Sequence, residues 1–150
     1  MEQMLKHLRA LDLTDDKGFL CGKMLADLGV NVIKIESPGG DPSRNIGPYY
    51  GGKPDREKSL YWFAYNSNKK GITLDLGKEK GQQIFSGLVK KSDVVVQNYS
   101  YGGAKKFGLT YEHLNKINPR IIVAAISGFG QTGPYHQRNC WDPNAQAMAG

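Results

Sequence analysis

One stretch decides the fold class of this chain: Gly29-Val-Asn-Val-Ile-Lys-Ile-Glu-Ser-Pro-Gly-Gly-Asp-Pro-Ser-Arg44. Its first half is rich in β-branched residues, which favour a strand: Val30, Val32, Ile33 and Ile35. The strand should end at the Ser37-Pro-Gly-Gly40 turn, because proline and glycine interrupt a β-ladder. Ligands of α/β proteins usually bind where parallel strands end. We therefore expect this turn, with Asp41 and Arg44 beyond it, to border a binding crevice; an ordinary exit loop is the alternative.

Strand and helix patterns alternate on both sides of this stretch. Before it, the sequence predicts a strand at 8–13, a helix-capping cluster at Thr14–Asp16 and a helix over 17–28. The apolar face of that helix would carry Phe19, Leu20, Met24, Leu25 and Leu28. After it we predict a long Gly/Pro-rich loop at 37–58, a short aromatic helix or turn at 59–65, strands at 72–76, 93–97 and 120–126, and helices at 78–91, 111–117 and 145–148. Ile84 and Leu88 would point inward from the helix over 78–91, and Thr110 would cap the helix over 111–117.

About five strands alternating with helices predict an α/β fold with a Rossmann-like, doubly wound, mostly parallel sheet. With 150 residues, 39% of them hydrophobic, the chain can bury one core, and we expect residues 1–150 to form a single domain. Cys21 and Cys140 form no C-x-x-C pair, which indicates a reducing, cytoplasmic compartment and argues against a disulfide scaffold or a zinc site. We expect no signal peptide, membrane span or metal site.

The net charge of +6 suits an anionic partner. A phosphorylated small molecule, RNA and an acidic protein all satisfy that charge. Loops after parallel strands gather at one edge of a sheet, and here they would bring together cations and rings suited to a phosphorylated ligand with a flat base: Lys69, Lys70, Lys78, Asn98, Tyr99, Lys105, Lys106 and Arg138. The chain contains no G-x-G-x-x-G, no Walker-type loop and no G-x-S-x-G elbow.

An ordered series of motifs resembles the start of the class III CoA-transferases, the group of formyl-CoA transferase, carnitine CoA-transferase and the α-methylacyl-CoA racemases. The motifs cover nearly the whole chain: Leu11-Asp-Leu13, Met24-Leu-Ala-Asp-Leu-Gly29, Val32 to Arg44, Asn66-Ser-Asn-Lys-Lys70, Leu74-Asp-Leu76, Asp93-Val-Val-Val-Gln-Asn98, Phe107-Gly-Leu-Thr-Tyr111, Asn118-Pro-Arg120, Ile126 to Tyr135 and Gln146-Ala-Met-Ala-Gly150. Each motif is weak alone, but their common order is specific.

The resemblance implies a Rossmann-like CoA-binding domain within an interlocked homodimer. It also implies a transferase that moves CoA from an acyl-CoA donor to a carboxylic acid acceptor, with CoA as substrate and no metal. The family's CoA contacts fall on twelve matching positions: Asp16, Lys17, Leu74, Asp75, Leu76, Asn98, Tyr99, Lys106, Asn139, Cys140, Trp141 and Asp142.

The chain departs from the family pattern at several positions. Asp15–Gly18 replaces a frequent Ala-Gly-Pro, Ser37 replaces an arginine, and the loop from Asn98 to Gly102 lacks a cation. Trp141 stands where the racemase branch has a basic histidine, which disfavours racemase chemistry. The family's nucleophilic aspartate would lie beyond Gly150, so we expect no catalytic residue within the chain and no transfer by these 150 residues alone.

Several functional hypotheses follow. The first is the CoA-binding portion of a CoA-transferase, with the chain an N-terminal fragment of the enzyme. The alternatives are a shortened, non-catalytic CoA- or nucleotide-binding protein and the acyl-CoA racemase branch of the same family. An RNA-binding α/β domain would fit the charge, but no RNP-like or KH-like motif is present, and we expect no nucleic-acid partner.

Overall fold

The computed structural model describes residues 4–150. Within this range there are five strands and six α-helices, in the order β1 (Arg9–Asp12), α1 (Phe19–Asp27), β2 (Asn31–Glu36), α2 (Leu60–Asn66), β3 (Lys70–Thr73), α3 (Glu79–Val89), β4 (Val94–Gln97), α4 (Tyr101–Lys106), α5 (Tyr111–Ile117), β5 (Ile122–Ala125) and α6 (Asp142–Ala149). Two short 3-10 turns, Pro42–Asn45 and Tyr50–Gly52, lie in the long loop between β2 and α2.

The five strands form one parallel sheet in the order β3-β2-β1-β4-β5. In the centre, Leu11 of β1 is in register with Ile33 of β2 on one side and with Val95 of β4 on the other. From β1, the chain adds β2 and then β3 on one side of the sheet. It then crosses back and adds β4 and β5 on the other side of β1. This reversal between β1 and β4 is the switch point at which open α/β sheets hold their ligands, and the predicted fold class is confirmed.

Helices cover both faces of the sheet. Leu11 points to one face, where it joins a buried cluster with Phe85 of α3 and Leu114 of α5. Ala10, its neighbour in β1, points to the other face and packs with Ala26 of α1 and with Val32. The alternation follows from the two-residue period of side chains along a strand.

The start of α1 differs from the prediction. Thr14 does not cap the helix, because its backbone N–H and its hydroxyl both donate to Asp12 Oδ1, at 3.0 and 2.6 Å. The helix begins later, at Phe19, after Gly18 and without a side-chain cap. Its end is as predicted, since Gly29 adopts a φ of +97° that stops the helix.

The inward faces of two helices were predicted only in part. In α1, Phe19 and Leu25 pack on the core as predicted, but Leu20, Met24 and the following Leu28 are more than half exposed. Gly22 and Ala26 are buried beside the sheet in their place. In α3, Leu88 packs on the core as predicted, whereas Ile84 is exposed and Phe85 and Val89 are buried.

The remaining differences are local. Strand β3 begins two residues before its predicted start, and α4 was missed because Gly102 and Gly103 weaken the helical pattern. The caps of α2 and α5 are Ser59, which accepts from Trp62 N, and Thr110, which accepts from His113 N. The Thr110 cap confirms the prediction.

Candidate functional site

Three adjoining cavities lie at the carboxyl end of the sheet. The first, which we call the switch crevice, has a volume of about 360 Å³ and lies where β1, β2 and β4 end. Its polar lining includes Thr14, Asp15, Lys34, Asp41 and Asn98. The predicted crevice beside the Ser37–Gly40 turn is therefore present, because that turn contributes Ser37 and Gly40 to its wall.

A larger depression, the α3–α4 groove, has a volume of about 790 Å³. It runs between the first turns of α3 and the end of α4, and its charged and aromatic lining is Lys78, Glu79, Lys105, Lys106, Phe107 and His113. Three lysines face one carboxylate, so the groove has a positive balance. That balance suits phosphate groups.

A small connecting pocket of about 110 Å³ joins the two. It shares Leu76 and Phe107 with the α3–α4 groove, and it shares Leu13, Ile35 and Tyr99 with the switch crevice. The three cavities therefore form one continuous surface from the cationic groove to the end of the central strands.

The loops after β1 and β4 are joined across the switch point by a reciprocal contact. Asn98 Oδ1 accepts from Asp15 N at 3.1 Å, and Asn98 Nδ2 donates to Asp15 Oδ1. Burial raises the pKa of Asp15, but hydrogen bonds from Asn98 and Lys17 outweigh burial, and the pKa is lowered overall. Asp15 is thus held as a carboxylate, and Asn98 fixes the separation of the two loops.

Tyr99, the next residue, closes the wall of the connecting pocket. Its backbone N–H donates to Gln97 Oε1 at 2.8 Å, and its ring meets the ring of Phe107 edge-on at 5.7 Å. Burial raises the pKa of the phenol. Tyr99 is therefore a neutral aromatic wall between groove and crevice.

The β2 side of the crevice is held by charged side chains. Glu36 accepts two hydrogen bonds from Arg44 and one from the backbone of Asp41. Asp41 Oδ1 in turn accepts from Ser43 N at 2.9 Å and from Ser43 Oγ at 2.6 Å. Burial raises the pKa of Glu36, but the bonds from Arg44 and Asp41 outweigh it, so that its pKa lies below the ordinary value.

Two lysines predicted at the cationic edge are elsewhere. Lys69 is buried and pairs with Asp12 at 2.8 Å under α1, on the face opposite α3. Lys70 is the first residue of β3, so it lies at the amino end of a strand. Arg138 stacks on Tyr135 and lines none of the three cavities. The prediction failed for the two lysines because neither follows the end of a strand: Lys69 precedes β3 and Lys70 begins it.

Six of the twelve family-matched positions line this surface. Leu74, Asp75, Leu76 and Tyr99 line the connecting pocket, Asn98 lines the crevice and Lys106 lines the groove. Lys17 lies beside the crevice and pairs with Asp15 at 3.1 Å and with Asp16 at 3.4 Å. Four other matched positions line none of the three cavities, and they precede or begin α6: Asn139, Cys140, Trp141 and Asp142. Of these, Cys140 packs directly on Gly128 after β5.

Sequence reasoning missed two side chains of this surface, Lys34 in the crevice and His113 in the groove. Lys34 carried a usable signal, because a lysine between Ile33 and Ile35 in an inner strand must be buried. A buried lysine is unusual unless it has a partner. His113 carried no such signal, since it is exposed on α5.

The model of CoA-transferase family III matches residues 5–150. The chain belongs to CoA-transferase family III. Among curated relatives, the acetyl-CoA:oxalate CoA-transferase of Acetobacter aceti is 45% identical over 128 residues, which is 85% of this chain and 32% of the relative. A subunit of succinyl-CoA:(R)-benzylsuccinate CoA-transferase from Thauera aromatica is 35% identical over 150 residues, 100% of this chain and 37% of the relative.

Solved structures agree with this family assignment. A CAIB/BAIF family protein from Brucella suis superposes with a TM-score of 0.86 at 38% identity, over 99% of this chain and 39% of that one. A hypothetical protein from Mycobacterium tuberculosis gives a TM-score of 0.84 at 33% identity, over 99% and 40%. The chain thus spans about a third of the length of the curated relatives it matches.

Within residues 4–150, no helix is both long and apolar enough to cross a membrane. In the same range, no group of three or more histidine, cysteine, aspartate or glutamate side chains is arranged to hold a metal ion.

Proposed function

We propose that this chain is the CoA-binding portion of a CoA-transferase that moves CoA between an acyl-CoA and a carboxylic acid. The observation that carries the proposal is the continuous surface from the α3–α4 groove to the switch crevice. CoA has a phosphorylated nucleotide at one end and a neutral pantetheine arm at the other. The groove suits the phosphorylated end, because Lys78, Lys105 and Lys106 line it. The crevice, which carries carboxylates, suits the uncharged arm.

The matched residues have distinct roles in this proposal. Lys106 binds phosphate, and Leu76 and Tyr99 contact the start of the arm in the connecting pocket. Asn98 keeps the crevice open through its contact with Asp15. Asp16 and Lys17 lie at the far end, where the thioester would arrive. The remaining matched positions, 139–142, would join the site only through a movement of the segment before α6.

Calorimetry with CoA tests the proposal. A charge-assisted contact to phosphate contributes about 1.5–3 kcal/mol, so Lys106→Ala should weaken CoA binding roughly 10- to 100-fold. Lys116→Ala is the matched control, because Lys116 is an exposed lysine of α5 outside the groove. Added salt should weaken binding to the parent protein more than binding to Lys106→Ala. Equal affinities of the parent and Lys106→Ala for CoA would contradict the assignment.

We also propose that the protein acts as a homodimer in the cytoplasm. The exposed stripe of Leu20, Met24 and Leu28 on α1 supports association, because contiguous exposed apolar side chains mark interaction surfaces. Cys21 and Cys140 are both free, as thiols are in a reducing compartment. Light scattering should show association that increases with protein concentration and decreases in a Met24→Glu variant. A monomer at every concentration would contradict the dimer.

A further inference from the structure

We propose that Lys34 is a ligand-binding residue, which donates a hydrogen bond from the floor of the switch crevice to a carbonyl oxygen of the pantetheine arm. This inference rests on the proposed function, since it takes CoA as the ligand. It adds a residue that was not among the matched positions, and it assigns the crevice to the neutral part of the ligand.

The position of Lys34 is unusual for a charged side chain. It lies in β2 in register with Asp12 of β1, and its side chain is only 2% exposed, yet it lines the switch crevice. Both neighbours along the strand, Ile33 and Ile35, point to the opposite face of the sheet and pack with the α3 side of the core. The ammonium is therefore fixed between the sheet and the crevice and has little freedom to reach solvent.

The hydrogen-bonding capacity of this ammonium is incompletely used. An ammonium has three N–H donors, and Lys34 Nζ gives one to the backbone oxygen of Thr14. Asp41 Oδ2 is 3.7 Å away, which is an ion pair but is longer than a hydrogen bond. The ring centroid of Phe19 is 5.0 Å away. Among residues 4–150, Thr14 O is the sole hydrogen-bond acceptor for Nζ, so donor capacity remains for an oxygen in the crevice.

The charges around Lys34 determine which kind of ligand oxygen can bind to its ammonium group. Asp15, Glu36 and Asp41 also line the crevice, and each is paired with one cation: Lys17, Arg44 and Lys34 respectively. A phosphate entering here would therefore meet no surplus of positive charge, whereas the α3–α4 groove offers it one. An amide or thioester carbonyl accepts a hydrogen bond without carrying a net charge. The neutral arm of CoA is the part that satisfies both conditions.

Lys34 also touches two of the three loops that border the crevice. Thr14 follows β1 and Asp41 follows the turn after β2, and the ammonium lies between them. A ligand oxygen bound to Nζ would therefore be placed between the β1 and β2 loops. This position is at the end of the sheet's central strands, on the side towards Asp16 and Lys17.

The experiment compares two ligands in three proteins by calorimetry. The ligands are CoA and 3′-phospho-ADP, which has the nucleotide end without the arm. Lys34→Met, which keeps the chain length but removes the donors, should bind CoA about tenfold or more weakly, as expected for a lost charge-assisted bond. It should bind 3′-phospho-ADP like the parent. Lys106→Ala should bind both ligands more weakly.

The outcomes separate the two proposals. Unchanged CoA affinity in Lys34→Met overturns the role of Lys34 and leaves the CoA-binding proposal standing. Equal weakening of both ligands by Lys34→Met also overturns it, because the effect would not belong to the arm. A parent protein that binds neither ligand overturns the proposed function and the inference together.

A measurement on the unaltered protein does not depend on the folding of the variant. In a sample with ¹⁵N at lysine Nζ, the Lys34 resonance can be assigned from its proximity both to the Phe19 ring protons and to Thr14, since Lys69 also lies near that ring but pairs with Asp12. We expect CoA to shift this resonance and 3′-phospho-ADP to leave it in place. A Lys34 resonance that stays in place when CoA is added overturns the inference.

Discussion

Arg44 holds the carboxylate of Glu36 in a two-point contact, with Nε 2.7 Å from Oε2 and Nη2 2.9 Å from Oε1. The guanidinium also stacks on Trp62, 4.0 Å from the ring centroid. Glu36 is the last residue of β2, and its Oε2 accepts from Asp41 N at 2.9 Å. The β2 wall of the crevice therefore depends on one buried carboxylate bound by three donors.

Replacement of Arg44 by lysine should destabilise the protein in spite of the conserved charge. Lysine offers a point charge in place of the planar fork, so it loses both the two-point contact and the stacking on Trp62. We expect the free energy of unfolding to fall by about 1–3 kcal/mol, as measured by urea denaturation. Arg120→Lys is the control, because its side chain is exposed, and it should differ little from the parent.

Glu36 should make stability depend on pH in the acid range. Its pKa in the folded protein lies below the ordinary 4.5, so the unfolded chain binds a proton more readily. The contribution of Glu36 is then fully present above pH 4.5 and is lost as the pH falls through the lower folded-state pKa. Urea denaturation at a series of pH values should show a steep acid decline for the parent and a shallower one for Glu36→Gln. The same slope in both proteins would contradict this assignment; Glu112→Gln, at an exposed site, is the control.

Two glycines in helices should respond to alanine in opposite directions. At Gly22 in α1, an added methyl group would collide with the Asp12 carboxylate, 2.8 Å from Cγ, and disturb the buried pair with Lys69. At Gly87 in α3, no atom lies within 4 Å of the added group. Thermal unfolding should show Gly22→Ala destabilised and Gly87→Ala stabilised by up to about 1 kcal/mol, the gain in helix propensity. A stable Gly22→Ala protein would show that α1 does not lie close to β1.

The carboxylates around the crevice should not form covalent adducts with an acyl-CoA. A nucleophilic carboxylate must approach the thioester carbon to about 3–3.5 Å, and those present are already engaged. Asp12 pairs with Lys69, Glu36 with Arg44, and Asp15 with Asn98 and Lys17. After incubation with an acyl-CoA and hydroxylamine, mass spectrometry should find the unmodified mass. An adduct on any of these residues would place the nucleophile within this chain.

The fold was predictable from sequence because its signals are local. The β-branched run of β2, the unbroken apolar run of β4 and the Thr110 cap each depend on a few neighbouring residues, and the motif order supplied the family. The inner face of α1 was not predictable in the same way. Leu20, Met24 and Leu28 form a regular apolar stripe, but the sheet lies against another side of the helix. That side carries Phe19, Gly22 and Ala26.

The sequence predicted which loops form the site better than it predicted which charged side chains lie there. Asn98 and Tyr99 follow a strand whose end was recognisable, Lys106 ends α4 in the same connection, and all three line the surface as expected. Whether a lysine is free or paired depends on residues distant in sequence. Lys69 pairs with Asp12 across 57 positions, and no local pattern reveals such a pair.

The contact between Asp15 and Asn98 joins positions 83 apart in the chain. The β1 and β4 walls of the crevice are therefore synthesised at widely separated times, and a growing chain has no complete crevice until β4 has been added beside β1. On the proposal that this surface binds CoA, binding would report the completion of the sheet's centre. Substitutions that weaken the pairing of β1 with β4 would then lower affinity for CoA from a distance, and bound CoA would in turn stabilise that pairing.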